Sequence, residues 1–73
     1  MNKIYQDIFK AIHEGKWIKI EYRNKQEEIM KFWIGIKDLN IANRTMNVDA
    51  LHLGMYGLRE YRLYIDSILS SQV

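Results

Sequence analysis

Trp17, Lys19 and Arg23 recur at even spacing along one alternating apolar–polar run, and Lys31 and Trp33 recur in the same way along the next. Side chains two apart on an extended chain point the same way, so each run would show its rings and cations on one face. Aromatic rings interleaved with ammonium and guanidinium groups are the parts of a single-strand platform. Bases stack on the rings for roughly 1–3 kcal/mol each, and the cations hold phosphates. The competing reading is packing, in which Trp17 and Trp33 cover the helix, the C-terminal strand or a neighbouring domain. Two tryptophans on one solvated face would be an unusual patch, which implies that something covers them.

A second cluster runs through Tyr56, Arg59, Tyr61, Arg62 and Tyr64. A guanidinium forks onto oxyanions, so Arg59 and Arg62 are candidate phosphate clamps. The alternatives are surface pairing with Glu60, Asp66 or Asp49, worth under about 1 kcal/mol each, and charge placed on a strand edge to discourage unwanted pairing.

Catalytic chemistry finds little to work with. His52 close to Asp49 suggests a general base, but no nucleophile can be assigned near it. Ser67, Ser70 and Ser71 lack a glycine elbow. His13, late in a helical stretch, suits the negative end of a helix dipole. With two histidines and no cysteine, neither a metal cluster nor a disulfide is expected. Phosphate-loop glycines, dinucleotide-binding glycines and paired carboxylates are also missing, so no cofactor and no enzyme activity is expected of these residues.

These side chains need elements to position them. Ile4, Ile8, Ala11 and Ile12 fall on helical spacing, widened by Tyr5 and Phe9. Asn2 as N-cap and Gly15 as left-handed stop bound a helix over 3–14, with Asp7 near its positive end. From Trp17 the period changes to two. Ile18, Ile20 and Tyr22 face inward, then Met30, Phe32, Ile34 and Ile36, across the polar turn Asn24-Lys25-Gln26-Glu27. Gly35 suggests a bulge or bend. Asn43-Arg44 reads as a tight turn with positive φ at Asn43. Met46, Val48 and Ala50 alternate next, and a loop of roughly eight residues follows between His52 and Glu60. After Tyr61, Leu63 and Ile65, Asp66 caps a single helical turn, and apolar positions resume with Ile68, Leu69 and Val73. The expected strands are 17–23, 28–36, 45–51, 60–65 and 68–73. The fold class is mainly β with one N-terminal helix, a strongly bent five-stranded barrel.

Seventy-three residues make one domain, 1–73. A chain of this size buries only about 60% of its unfolded surface, and its core supplies about 3–5 kcal/mol net. Apolar residues at 48% and charged residues at 27% are a globular balance. A net charge of +2 is too small to imply nucleic acid, because phosphate binding follows the local count of cations. Apolar runs such as Phe32–Ile36 are too short for a membrane span, and the first residues carry no signal pattern. The expectation is a cytoplasmic protein without a membrane partner. Since the sequence stops at Val73 inside a strand, a piece of a longer protein is expected.

One helix followed by five bent strands, with a helical turn before the last, resembles an SH3-like or Sm-like barrel. Three passages are similar to the WYL domain of bacterial regulators. The opening Ile8-Phe9-Lys10-Ala11-Ile12 with Lys16-Trp17-Ile18-Lys19-Ile20-Glu21-Tyr22 resembles that family's helix and first strand. Met46-Asn47-Val48-Asp49-Ala50 sits where the family has Trp-Tyr-Leu-x-Ala, and Leu63-Tyr64-Ile65-Asp66-Ser67-Ile68 where it has Phe-Arg-Leu-Asp-Arg-Ile. The naming triplet is thus Met46-Asn47-Val48 here, Ser67 replaces an arginine, and there is no proline; these departures fall in the family's ligand groove. The resemblance implies a non-catalytic sensing or docking module, set at the front of an ATP-dependent DNA helicase or exonuclease. Its implied partners are single-stranded nucleic acid or a nucleotide-like ligand, and the rest of the parent chain. The alternative is a structural docking or homodimerisation domain with no ligand.

Overall fold

The structure, a computed structural model, describes residues 2–52 and 57–73. Helix α1 (Lys3–Glu14) leads into β1 (Ile18–Arg23), β2 (Ile29–Asn40), β3 (Thr45–His52), β4 (Leu58–Tyr64) and β5 (Ile68–Gln72), with a 3₁₀ turn, Ile65–Ser67, between the last two. The helix begins and ends where its caps predict. Asn2 Oδ1 accepts the Tyr5 N–H at 3.0 Å, and Gly15 turns left-handed at φ 66°.

All strand pairs are antiparallel, in the order β4-β3-β2-β1-β5. In a flat sheet of that order the edge strands would lie about 19 Å apart. Yet a three-residue turn joins them, and at about 2 Å per residue it spans about 6 Å. The sheet must therefore curl until β4 and β5 approach. One hydrogen bond marks the approach, from the Tyr64 N–H of β4 to the Tyr22 hydroxyl of β1 at 3.0 Å, while the Ile65 N–H, bonded to the Arg44 carbonyl at 2.9 Å, extends the β3–β4 ladder. β4 and β5 do not pair with each other, so the result is a small, barrel-like sheet left open.

The inward residues of every strand, from Ile18 and Ile20 to Ile65 and Ile68, form one core with Ile8 and Ala11 of the helix. The helix lies against β5, β1 and β2. Asp7 secures it by accepting from Lys3 Nζ at 2.7 Å and from Ser71 Oγ at 2.6 Å, while Lys3 Nζ also reaches the Ser71 carbonyl at 2.6 Å. The helical stripe is narrower than its sequence predicts, because Phe9 and Ile12 remain 39% and 44% exposed.

Several local expectations need correction. Gly35 is not a bulge; it pairs in register with Asp49, and the register shift comes later, between Ile36 and Asp38. The extra residue, Lys37, lets β2 run on to Asn40 and returns Leu39 to the inner face opposite Met46. At the next turn the positive φ belongs to Arg44, not Asn43; Asn40 Oδ1 organises that turn by accepting the Asn43 N–H. Asp66 does not cap the 3₁₀ turn and instead pairs with Arg44 at 3.3 Å. β5 ends at Gln72, so Val73 lies beyond it; Leu69 and Val73 are exposed, and Ile68 and Ser71 hold the inward positions.

Candidate functional site

Strand register decides which candidate residues meet. Lys19 of β1 pairs with Trp33 of β2, Trp33 with Leu51 of β3, and Leu51 with Leu58 of β4; on the other side Lys19 pairs with Gln72 of β5. All five are exposed. One line across the outer face of the sheet therefore passes from an amide through an ammonium and an indole to two aliphatic side chains. A parallel line on one side holds Ser70, Glu21 and Lys31, and another on the opposite side holds Gly35, Asp49 and Glu60.

Trp17 enters this surface through Gly35. A Cβ built on Gly35 would lie 3.1 Å from Trp17 Cε2 and Cζ2 and 3.4 Å from Cδ2. Three ring atoms at nearly equal range place the face of the indole over the glycine, where any side chain would intrude. Trp17 so covers a missing side chain while keeping 44% of its surface exposed, and Trp33 keeps 39%. With Leu51 and Leu58 the two rings line a shallow apolar cavity of about 360 Å³. The packing expectation named the helix, the C-terminal strand or a neighbouring domain, and Gly35 of β2 is none of these. Trp17 packs on its own sheet, and neither indole packs among the core residues.

The cations divide into committed and uncommitted groups. Lys3, Lys16, Lys37 and Arg44 each hold a carboxylate within 4.0 Å. Lys37 sits between Glu60 at 3.1 Å and Asp49 at 3.8 Å; the Glu60 hydrogen bond first and the Asp49 charge second raise its pKa above the ordinary ammonium range. Among the described residues Lys19 and Lys31 have no ion pair. They line a groove of about 510 Å³ between β1 and β5 with Lys3, Glu21, Ser70 and Gln72. Glu21 accepts from Ser70 Oγ at 2.7 Å there.

The structure brings together Trp17, Lys19, Lys31 and Trp33 but not the remaining candidates. Arg23 shares the outer face yet sits at the hairpin end of β1, paired with Ile29. The second cluster is split by strand alternation. Arg59 and Tyr61 take the face of Ala50 and Val48, whereas Arg62 and Tyr64 take the opposite one. Arg62 donates to Asn47 at 3.5 Å, and Glu60, Asp49 and Asp66 go to Lys37 and Arg44 rather than to Arg59 or Arg62. Tyr56 lies outside the described residues. The His52–Asp49 pair does not form: His52 turns inward with its ring edge-on to Phe32, centroids 5.3 Å apart, while Asp49 faces out. His52 Nδ1 is buried without a hydrogen-bond partner among the described residues.

Sequence reading missed Leu51 and Leu58. Leu51 follows Ala50 in an alternating run and was legible as outward; Leu58 fell within the stretch read as loop. Among the described residues no cluster of three metal-binding side chains occurs, and no helix is long and apolar enough to cross a membrane. No protein family, curated protein or solved structure matches the chain.

Proposed function

We propose that this domain is a non-catalytic recognition module that binds single-stranded nucleic acid or a nucleotide on the outer face of its sheet. The supporting observation is Trp17 laid over Gly35 beside the exposed Trp33, with the uncommitted ammonium groups of Lys19 and Lys31 adjoining. A ring held flat against backbone keeps one π-face open at little entropic cost, which favours stacking of a base. The module serves a larger DNA-processing protein of the helicase or exonuclease kind, a setting supported by the resemblance to WYL domains alone.

Leu51 and Leu58 favour a second reading, a docking surface for another protein or a second copy, since aliphatic side chains add apolar area but no stacking face. One titration separates the two. A labelled single strand of about 15 nucleotides should bind the chain, weaken with rising salt, and lose affinity on Trp33→Ala or Lys31→Ala. Salt-insensitive self-association without oligonucleotide binding would reject the first reading and favour the second.

A further inference from the structure

The charges around the two indoles are not symmetric. On the β1–β5 side the groove holds Lys19 and Lys31 without carboxylate partners, and Lys3, whose ammonium bridges Asp7 and the Ser71 carbonyl. Glu21 is the one carboxylate lining it, and the Ser70 hydroxyl already donates to it. Beyond Trp17 and Gly35 the next outward positions are Asp49 and Glu60, with Lys37 committed between them. Beyond Trp33 along its own line come Leu51 and Leu58. A polyanion crossing the strands along either of these two lines would meet Lys19 and Lys31 at one end, then leucines or carboxylates; Arg23 and Arg62 lie on the outer face but off both lines.

Resting on the nucleic-acid reading above, we infer that the site takes a short ligand laid across the strands: one or two nucleotides, base on Trp33 and Trp17, phosphate oxygens in the groove between β1 and β5. Its chemistry is a planar base carrying a terminal phosphate. That chemistry has two sources, a free nucleoside phosphate and the phosphorylated end of a strand. The interior of a long strand crossing the sheet is disfavoured, because beyond the groove its phosphates meet Leu51 and Leu58 or the Asp49 and Glu60 carboxylates before Arg62 is reached. The groove, at about 510 Å³, accommodates a phosphate or diphosphate with its water.

The chain's two tryptophans are both on this face, so intrinsic emission reports the site without a label. The test titrates the 73-residue chain with adenosine, adenosine monophosphate and adenosine diphosphate, and with oligothymidylates of two, four and fifteen nucleotides, each with and without a 5′-phosphate. Affinity should rise about tenfold or more from nucleoside to diphosphate, as charge-assisted hydrogen bonds require. Lys31→Ala should remove that gain, and strand affinity should level off beyond two nucleotides. A free nucleotide binding more tightly than the phosphorylated dinucleotide assigns the first source; the reverse assigns the second. Affinity that climbs steadily to fifteen nucleotides, or a phosphate gain that survives in the Lys19→Ala/Lys31→Ala double variant, overturns the short footprint but keeps the nucleic-acid reading. Absence of any quenching by all probes, in a chain whose circular dichroism is intact, overturns both.

Discussion

The Tyr22 hydroxyl and the Tyr64 backbone N–H, 42 residues apart, meet at 3.0 Å and tie β1, next to one edge of the sheet, to the end of β4 at the other edge. Tyr22 is 8% exposed, so no water readily replaces it. Tyr22→Phe keeps the ring against Phe32 but leaves a partly buried N–H without its acceptor. The expected loss is about 1–3 kcal/mol, read as a lower urea midpoint at unchanged slope.

Gly35→Ala separates binding from folding. The added methyl group meets the Trp17 ring at 3.1 Å, and the exposed indole can swing away. Stability should move by no more than about 0.5 kcal/mol, as for a surface substitution. Ligand affinity should fall and the emission spectrum shift. An unaltered spectrum would mean that the indole does not rest on the glycine.

Ile8 is fully buried and carries the helix into the core. Ile8→Ala should cost about 2–5 kcal/mol, against a total of about 3–5 kcal/mol for a domain of this size. The variant should therefore be largely unfolded at 37 °C by circular dichroism, whereas Ile12→Ala, on the exposed side of the same helix, should fold normally.

The Lys3 ammonium first, and the Ser71 hydroxyl second, hold the Asp7 carboxyl below its ordinary value of 3.8. A depressed folded pKa contributes stability that is complete above that ordinary value and lost as pH falls through the folded one. Acid should therefore weaken the wild-type chain below about pH 4. Asp7→Asn should cost about 1 kcal/mol or less at pH 7 and flatten part of that acid limb in urea titrations at pH 3.

The elements were legible because local chemistry and burial agree in them. Asn2 and Gly15 cap the helix as their types require, and the period-two runs of β1 and β3 have one dry and one wet face. Failures cluster where one residue breaks a pattern. The extra Lys37 inverts the alternation of β2, so a strand that continues to Asn40 reads as ending at Ile36. Leu69, at the register shift against β1, misleads in the same way. At the site, each strand's outward face was readable, which placed Trp17, Lys19, Lys31 and Trp33 together. The pairing partners were not, because register depends on turns and bulges rather than on a strand's own residues. Leu51 beside Trp33 follows only from register, whereas the division of Arg59 from Arg62 follows from alternation once the strand begins at Leu58.

The Lys3–Ser71 contact spans 68 positions, and β1 cannot gain its second neighbour until β5 exists. Local hairpins can form early, but the curled sheet cannot be completed before β5 has been made, and long closures are slow. Until then Ile8 and Ile20 lack the strand that shields them. A nascent chain paused short of Ile68 is accordingly a sticky intermediate, a natural client for chaperones that bind exposed apolar segments.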